Sequence, residues 1–400
     1  MIEYTRCVAG PLSTREKVVV AMSGGVDSSV AAARLVASGF EVIGVTLHLW
    51  DYPEGQEPGR CCAPEDQHDA RNVADHLGIP HYTFDRRELF RDEVVQPFVD
   101  AYAAGETPSP CVQCNRTVKM RELFAIADRL GARRVATGHY ARVEAREDLG
   151  ERRTILRRGV DRTKDQSYFL HTLVGMPGAE GLLSRLIMPL GDAMKAEVRA
   201  EALALALPGA EKGESQELCF VSSGRYDEFV RERVPDRVRP GPIVDEAGRA
   251  IGQHDGLHAY TIGQRKGLGS APKASVNHGR PLFVVGLDPE TNTVRAGGED
   301  ALLAATATLH SGPDGADELF APDVVFPRSA IVQVRARHAG AEASIDRDSA
   351  GQLVVRFDAP VRAVSPGQIA VFYDGDRVLG GAPIRSTRAA IASSTSASAP

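Results

Sequence analysis

Between residues 17 and 137, short apolar runs alternate with stretches of helical period, and this alternation restricts the possible folds more than any other feature. Residues 17–22 (KVVVAM), 41–47 (EVIGVTL), 81–84 and 134–137 read as strands. Residues 28–38 and 65–77 read as helices stopped by Gly39 and Gly78. Residues 88–102 read as a helix that must accommodate Pro97. Residues 115–130 read as an amphipathic helix stopped by Gly131, with Met120, Leu123, Phe124, Ala127 and Leu130 on one face. Strands separated by helices pair in parallel, and a parallel sheet is covered on both faces, so the expectation is an α/β domain.

Beyond about Gly209 the helical period fades and Gly and Pro become frequent. Residues 243–245, 282–286, 331–335, 353–357 and 369–373 read as strands separated by turns, which predicts a β-rich second half built as two small domains. The stretch 389–400 is low-complexity Ala/Ser and reads as a disordered tail. At 400 residues and 43% apolar content, the chain has the length for two or three domains and can fold without disulfides or metal. No apolar run approaches the ~18 residues that span a bilayer. The first 17 residues carry Glu3 and Glu16 and lack the apolar core of a secretory signal. Six Cys is far below disulfide-scaffold density, so the expected compartment is the reducing cytoplasm. The net charge of −6 argues against a general nucleic-acid coat protein but leaves room for a local basic face.

The sharpest local signal is Ala21, Met22, Ser23, Gly24, Gly25, Val26, Asp27, Ser28 and Ser29, which follow a strand and open a helix. Small residues let backbone N–H groups approach an anion, and the helix N-terminus adds partial positive charge. There is no Gly-Lys-Ser/Thr, so this is not a Walker A loop. The same string in a bland setting would be a well-capped turn. A second signal, residues 107–115 (TPSPCVQCN), sets Cys111 and Cys114 at C-x-x-C spacing in a loop stiffened by prolines. Cys114 falls at the expected helix start, with Arg116 and Lys119 nearby, a setting that favours the thiolate. Two local ligands do not complete a zinc site. Cys219 lies in a strand-like run (ELCFV) and by itself reads as a core thiol. Cys7, Cys61 and Cys62 read as bystanders, and His254 and His258, at i, i+4, lack acidic or Cys company. The basic stretches 152–164 and 264–266 read as solvated faces. Gly138, His139 and Tyr140 end a parallel strand, where open α/β sheets bind ligands; His139 fits a structural role as well.

The string SGGVDSS resembles the PP-loop of the N-type ATP pyrophosphatases, which split ATP between the α and β phosphates. Taken with TPSPCVQCN, ATGHYAR (136–142), KDQSYFL (164–170), SQELCFV (215–221), YTIGQRKGLG (260–269) and SPGQIAVFY (365–373), it resembles the bacterial tRNA-specific 2-thiouridylase family, over nearly the whole chain and in order. The resemblance implies an α/β PP-loop domain with a Rossmann-like parallel sheet (adenine nucleotide alpha hydrolase-like) at 1–222, a small central tRNA-binding domain at 223–295, a C-terminal β-barrel at 296–387 and a disordered tail at 388–400. It implies that ATP, with Mg²⁺, adenylates the C2 oxygen of the wobble uridine (position 34) in tRNAs for Lys, Glu and Gln, and that Cys-borne sulfur replaces that oxygen. By that resemblance, Ala21 to Ser28 hold the phosphates and Leu47 and Gly138 contact adenosine. Cys219 carries a persulfide, and Cys114 resolves it through a Cys114–Cys219 disulfide. Ser109, Pro110 and Cys111 lie at the target base, and Lys164, Asp165, Gln166, His139, Arg335 and Gln368 contact or position tRNA. A cysteine desulfurase or relay protein supplies sulfur.

Two residues depart from the family pattern. Cys111 stands where many members carry an Asp assigned as general base, and a thiol of pKa near 8.5 is mostly neutral at pH 7. Cys111, Cys114 and Cys219 could instead hold a [4Fe–4S] cluster, which would exclude the persulfide–disulfide cycle at the same thiols. Ala336 stands where members commonly have Tyr after the equivalent of Arg335, removing one stacking or hydroxyl contact to tRNA. Two rival readings stay open. One is another PP-loop enzyme, an amide-forming ligase or a different RNA-modifying adenylase, which would not need the thiols. The other is an ATP- or Fe–S-binding RNA regulator without turnover.

Overall fold

The computed structural model describes residues 16–51, 64–148, 151–213, 218–221, 224–268, 281–312 and 317–389. Cys7, Cys61 and Cys62 lie outside them. Packing divides the chain into two units. Met1–Phe90, Cys114–Ser167 and Gly178–Ser222 form the first, and Arg91–Gln113, Tyr168–Pro177 and Ser223–Pro400 the second.

In the first unit the strands are β1 (Lys17–Ala21), β2 (Glu41–His48), β3 (His81–Asp85), β4 (Arg134–Ala136), a hairpin of β5 (Ala141–Asp148) and β6 (Glu151–Arg158), and the two-residue β7 (Leu186–Ile187). β3, β2, β1, β4 and β7 lie in that order in one parallel sheet. The β-branched run Val18–Val20 has no exposed surface, as a central strand covered on both faces requires. Helix α1 (Val26–Ala37) is largely apolar and Ala-rich, which lets it be buried on two sides. Ala32 and Leu35 pack with Val18, Val20 and the Ala70, Val73 and Ala74 of α2 (Pro64–Leu77), while Val26, Val30 and Ala33 pack with Val198 and Ala202 of helix Lys195–Ala204.

The four expected strands and first two helices are present with ends shifted by one or two residues. The expected helix at 88–102 is segmented into Arg87–Phe90, a π-turn Arg91–Val95 and Gln96–Ala103. Pro97 lies in the first turn of the last segment, where its missing N–H costs least. The helix expected at 115–130 begins earlier: Pro110–Gln113, a π-turn Cys114–Lys119, then Met120–Arg129. Pro110 presets the first turn, and the Ser109 carbonyl accepts the N–H groups of Val112 (3.1 Å) and Gln113 (3.2 Å). Met120, Leu123, Phe124 and Ala127 are buried as the spacing predicts. The basic stretch beginning at Arg152 runs within β6 as far as Arg158 rather than forming only a solvated face.

The second unit carries β8 (Gly241–Val244), β9 (Ala250–His254), β10 (Phe283–Asp288) and β11 (Thr293–Gly297), ordered β10-β11-β8-β9 over Ile243, Leu257, Tyr260, Leu268, Val284 and Val294. It continues with β12 (Leu303–Leu309), β13 (Leu319–Phe320), β14 (Arg328–Gln333), β15 (Ala341–Arg347), β16 (Leu353–Arg362), β17 (Ile369–Asp374) and β18 (Arg377–Ala389). The antiparallel order β12-β16-β15-β14-β17-β18 closes when β18 pairs back to β12, giving a barrel without open edges. β18 is long, 13 residues, because its first half pairs β17 and its second half β12. Leu309, Val332, Ile345, Leu353, Val355, Phe372 and Leu379 fill the interior. The expected tail at 388–400 therefore starts inside β18, and 390–400 lie outside the described residues. Helix Gln96–Ala103 belongs to this unit and stacks Phe98 on Phe229 (6.3 Å) and Tyr102 on Tyr226 (4.7 Å) of helix Tyr226–Arg233. No described helix is long and apolar enough to cross a membrane.

Candidate nucleotide and sulfur-transfer site

From β1 the sheet extends to β2 on one side and to β4 on the other, so the carboxyl ends of β1 and β4 flank a switch point, where such sheets bind ligands. The loop from Met22 to Gly25 leaves β1 there, and Thr137, Gly138 and His139 leave β4. The Met22 N–H donates to the Val45 carbonyl (2.8 Å), and the Thr46 hydroxyl donates to the Met22 carbonyl (2.7 Å), tying the loop to β2 close to the buried Leu47. Gly24 has φ +75°, and a Cβ on it would lie 2.2 Å from the Asp66 carbonyl oxygen, so no side chain fits. A Cβ on Gly138 would lie 2.9 Å from the Asp27 carbonyl carbon and the Ser28 nitrogen, so β4's exit loop presses on the first turn of α1.

Gly25 caps α1 in an extended conformation and supplies no capping side chain, so the first amides of α1 keep their capacity for an anion. The serines shape the loop: Ser23 N–H donates to Ser28 Oγ (3.1 Å), and Ser28 Oγ (2.9 Å) and Ser29 Oγ (3.0 Å) donate to the Gly25 carbonyl. Asp27 in the first turn would oppose an anion, but Lys195 Nζ sits 2.6 and 2.8 Å from its two oxygens and Tyr140 Oη donates to it at 2.8 Å. Lys195 is buried, and its backbone N–H donates to Asp161 Oδ2 (3.0 Å). Burial pushes the Asp161 carboxyl up, and bonds from Thr163 and the Lys195 N–H outweigh it and hold the carboxyl low. Sequence reasoning missed Lys195 and Asp161. The available signal was a lysine at i, i+3, i+7 with Val198 and Ala202 on an otherwise apolar face.

His139 Nδ1 is 2.8 Å from Thr137 Oγ1, and burial, then nearby Lys119, lowers its pKa to about 3. It is therefore a neutral imidazole at pH 7. Asp165 accepts from the N–H groups of Gly159 (3.0 Å) and Ser167 (3.1 Å) and pairs with Arg158 (3.3 Å). Gln166 Oε1 accepts the Tyr140 N–H (2.9 Å). These two side chains hold the segment that presents Lys164.

Cys114 is buried and Cys219 half-buried. Cys114 is not at a helix N-terminus as the sequence suggested, because the helical run starts at Pro110; the exposed Cys111 occupies that first turn instead. Nor is Cys219 in a strand: the Val221 N–H donates to the Leu218 carbonyl (3.2 Å), closing a turn. The cause is Phe220, buried edge-on against Phe90 (5.7 Å) and Trp50 (6.3 Å). Phe90 ends the helix Arg87–Phe90, which packs against the π-turn opened by Cys114, so both thiols are anchored to one helical element of the first unit.

In the second unit, Gln368 Nε2 donates to the carbonyls of Thr107 (2.9 Å) and Pro108 (3.3 Å), and the Thr107 N–H donates to the Pro366 carbonyl (3.1 Å). Residues 366–368 thus clamp the segment leading to Ser109, Pro110 and Cys111. Arg335 Nη1 donates to the carbonyls of Arg362 (3.1 Å) and Ala363 (3.4 Å), fixing one arm of its guanidinium. His254 lies on β9 with Nε2 3.0 Å from the Asn292 carbonyl, and His258 lies in the 3₁₀ turn Leu257–Ala259, so their spacing describes no shared helix face. Burial lowers both pKa values. Among the described residues no three His, Cys, Asp or Glu side chains are grouped to hold a metal ion.

Residues 16–223 match the family model described as tRNA methyl transferase HUP domain, 227–297 the tRNA methyl transferase PRC-barrel domain, and 323–384 the aminomethyltransferase beta-barrel domain. A tRNA-specific 2-thiouridylase MnmA of Sorangium cellulosum (strain So ce56) is 61% identical over 379 residues, covering 93% of each chain. One of Roseiflexus sp. (strain RS-1) is 45% identical over 388 residues, covering 92% of this chain and 99% of its own. A solved 4-thiouridine synthetase–RNA complex with bound ATP overlays with a TM-score of 0.33 at 17% identity, over 56% of this chain and 51% of its own, too loose a likeness to argue from.

Proposed function

The chain belongs to the tRNA-specific 2-thiouridylase family, and on that premise we propose that it is an ATP-dependent tRNA-uridine 2-sulfurtransferase. Its substrate is the wobble uridine of tRNAs for Lys, Glu and Gln, ATP enters with Mg²⁺, and a cysteine desulfurase or relay protein delivers sulfur in the cytoplasm. The observation that carries the chemistry is the phosphate cradle at the switch point: an uncapped α1 N-terminus, a loop closed to side chains at Gly24, and an Asp27 already neutralised by Lys195.

In this reading residues 21–28 hold the triphosphate, and Leu47 and Gly138 border adenosine. The uridine C2 oxygen attacks the α-phosphorus, and the bond to pyrophosphate breaks. The terminal sulfur of a Cys219 persulfide then forms the C2–S bond as AMP leaves with the former oxygen. The Cys114 thiolate attacks Cys219 Sγ, and 2-thiouridine departs with the electron pair of the broken S–S bond. The resulting Cys114–Cys219 disulfide is reopened by a thiol reductant. Ser109, Pro110 and Cys111 meet the target base, while Lys164, His139 and Arg335 meet tRNA and Asp165, Gln166 and Gln368 position those contacts. His139, being neutral, serves by hydrogen bonding or stacking rather than as a cation. The cluster alternative competes for the same thiols and is not adopted in this reading, and no step runs through iron.

The test is anaerobic incubation with ATP, Mg²⁺, a persulfide source and unmodified tRNA for Glu, followed by nucleoside mass spectrometry. The expected product is 2-thiouridine, dependent on ATP and lost in Cys219→Ser with AMP formation retained. AMP without thiouridine in the wild type sinks the assignment of the thiols. Neither product sinks the enzyme reading, and a requirement for stoichiometric iron sinks the persulfide route.

A further inference from the structure

The loop Tyr260–Leu268 was read from sequence as carrying an ordinary basic stretch, and its structure gives that stretch a definite form. Its ends are buried: Tyr260 and Leu268 belong to the core under β8 to β11. Inside it, Tyr260 Oη donates to the Gly267 carbonyl (2.7 Å). The Gln264 side chain bonds three ways, accepting the Thr261 N–H (3.1 Å) and donating to the carbonyls of Ala259 (3.2 Å) and Lys266 (2.9 Å). Two main-chain bonds, Gly263 N–H to Val284 O (2.8 Å) and Val284 N–H to Gln264 O (2.9 Å), fasten the loop to β10. Gly263 (φ +90°) and Gly267 (φ +85°) make the bends, and the exposed Arg265 and Lys266 stand between them.

Two arginines of the β10-β11-β8-β9 sheet are paired, Arg249 with Asp245 (2.7 Å) and Arg295 with Asp288 (3.4 Å). Arg265 and Lys266 pair with no carboxylate among the described residues. In a chain of net charge −6, the loop thus presents two adjacent cations that have no carboxylate partner among the described residues, on a backbone held by its own hydrogen bonds. A backbone already braced spares the cost of ordering the loop when its cations bind a polyanion. We propose that Arg265 and Lys266 form a braced phosphate-contact element for the tRNA backbone, with Gln264 as its positioning residue. The contact is sequence-independent and acts on affinity rather than on sulfur transfer. This rests on the tRNA-modifying function proposed above.

The experiment measures binding of unmodified tRNA to the full-length protein over a salt series, with ATP affinity measured on the same preparations. Arg265→Gln with Lys266→Gln should lower affinity roughly tenfold or more at low salt, alike for tRNA Lys, Glu and Gln, and reduce the slope of log K against log[salt] by about 2, one per lost phosphate contact. ATP affinity should stay at wild type. Gln264→Ala keeps both charges on a loosened loop, so affinity should fall with the slope kept. Wild-type affinity and slope in the double variant overturn the phosphate contact. A fall confined to one tRNA species overturns it in favour of base recognition. If wild-type protein neither binds nor thiolates tRNA, the functional reading fails and takes this inference with it.

Discussion

Lys195 gives the sharpest test of how the nucleotide loop works. The pair with Asp27 is short, and the two side chains are 10% and 35% exposed. Removing one partner of a fully buried pair costs about 3–5 kcal/mol. Asp27 keeps the Tyr140 hydroxyl and a third of its surface in water, so Lys195→Met should cost stability roughly half that. The effect on ATP is separate. An orphaned carboxylate in the first turn of α1 cancels part of the positive end of the helix and repels the triphosphate. At an effective dielectric near 20 and a separation of about 6 Å the repulsion is about 3 kcal/mol before salt screening, and about 1–2 kcal/mol after it. That corresponds to ATP binding weaker by about 5- to 30-fold.

Calorimetric titration with ATP, beside a thermal melt, reads both quantities. Asp27→Asn in the Lys195→Met background separates two causes. If the deficit comes from the orphaned charge, neutralising it restores most of the ATP affinity. If Lys195 itself grips ATP, the double variant stays as weak as the single. A folded Lys195→Met protein binding ATP within twofold of wild type would refute the electrostatic argument outright.

Three further outcomes follow from the same geometry. Gly24→Ala should abolish measurable ATP binding, because its Cβ meets the Asp66 carbonyl in a left-handed conformation; titration with near-wild-type affinity contradicts this. His139 should show no imidazole titration between pH 5 and 8 by NMR. Its folded pKa of about 3 lies below the unfolded ~6.5, so its contribution to stability is complete above about pH 6.5 and drains as pH falls toward 3; an inflection near 6.5 contradicts the neutral ring. Gln368→Ala removes the donor shared by the Thr107 and Pro108 carbonyls, costing about 1–2 kcal/mol. Thiolation should fall and amide exchange at 107–113 rise with ATP affinity unchanged; unaltered exchange would remove Gln368 from that role.

How much of this was legible depended on how far apart the interacting residues lie in the chain. Val18–Val20 announce a doubly covered strand by themselves, and a Gly-rich turn between that strand and an Ala-rich helix announces an anion site, because both depend on neighbours within a few residues. β5 and β6 stayed hidden because the alternating Ala141, Val143 and Ala145 of β5 make too small an apolar face to stand out among Arg and Glu, and the adjacent Ile155 and Leu156 of β6 break the alternation. The start of the Cys111–Cys114 helix was misplaced because Pro110 reads equally well as a loop residue and as the first residue of a helix. The strand reading of residues 217–221 fails over 218–221 for a tertiary reason: the pull of Phe220 into the Trp50–Phe90 cluster outweighs the local β preference of its neighbours. The partners of Asp27 and Gln368 lie 168 and 261 residues away, and no local pattern encodes them. That distance bears on the motifs themselves. A motif by itself does not separate residues that touch the substrate from those that hold them. Asp165, Gln166 and Gln368 spend side-chain groups on backbone within the protein, whereas Arg265 and Lys266 stand on a braced loop with no carboxylate partner among the described residues. Substitution of the first group should therefore disturb order and catalysis together. Substitution of the second should change salt-dependent affinity and leave the folded chain intact.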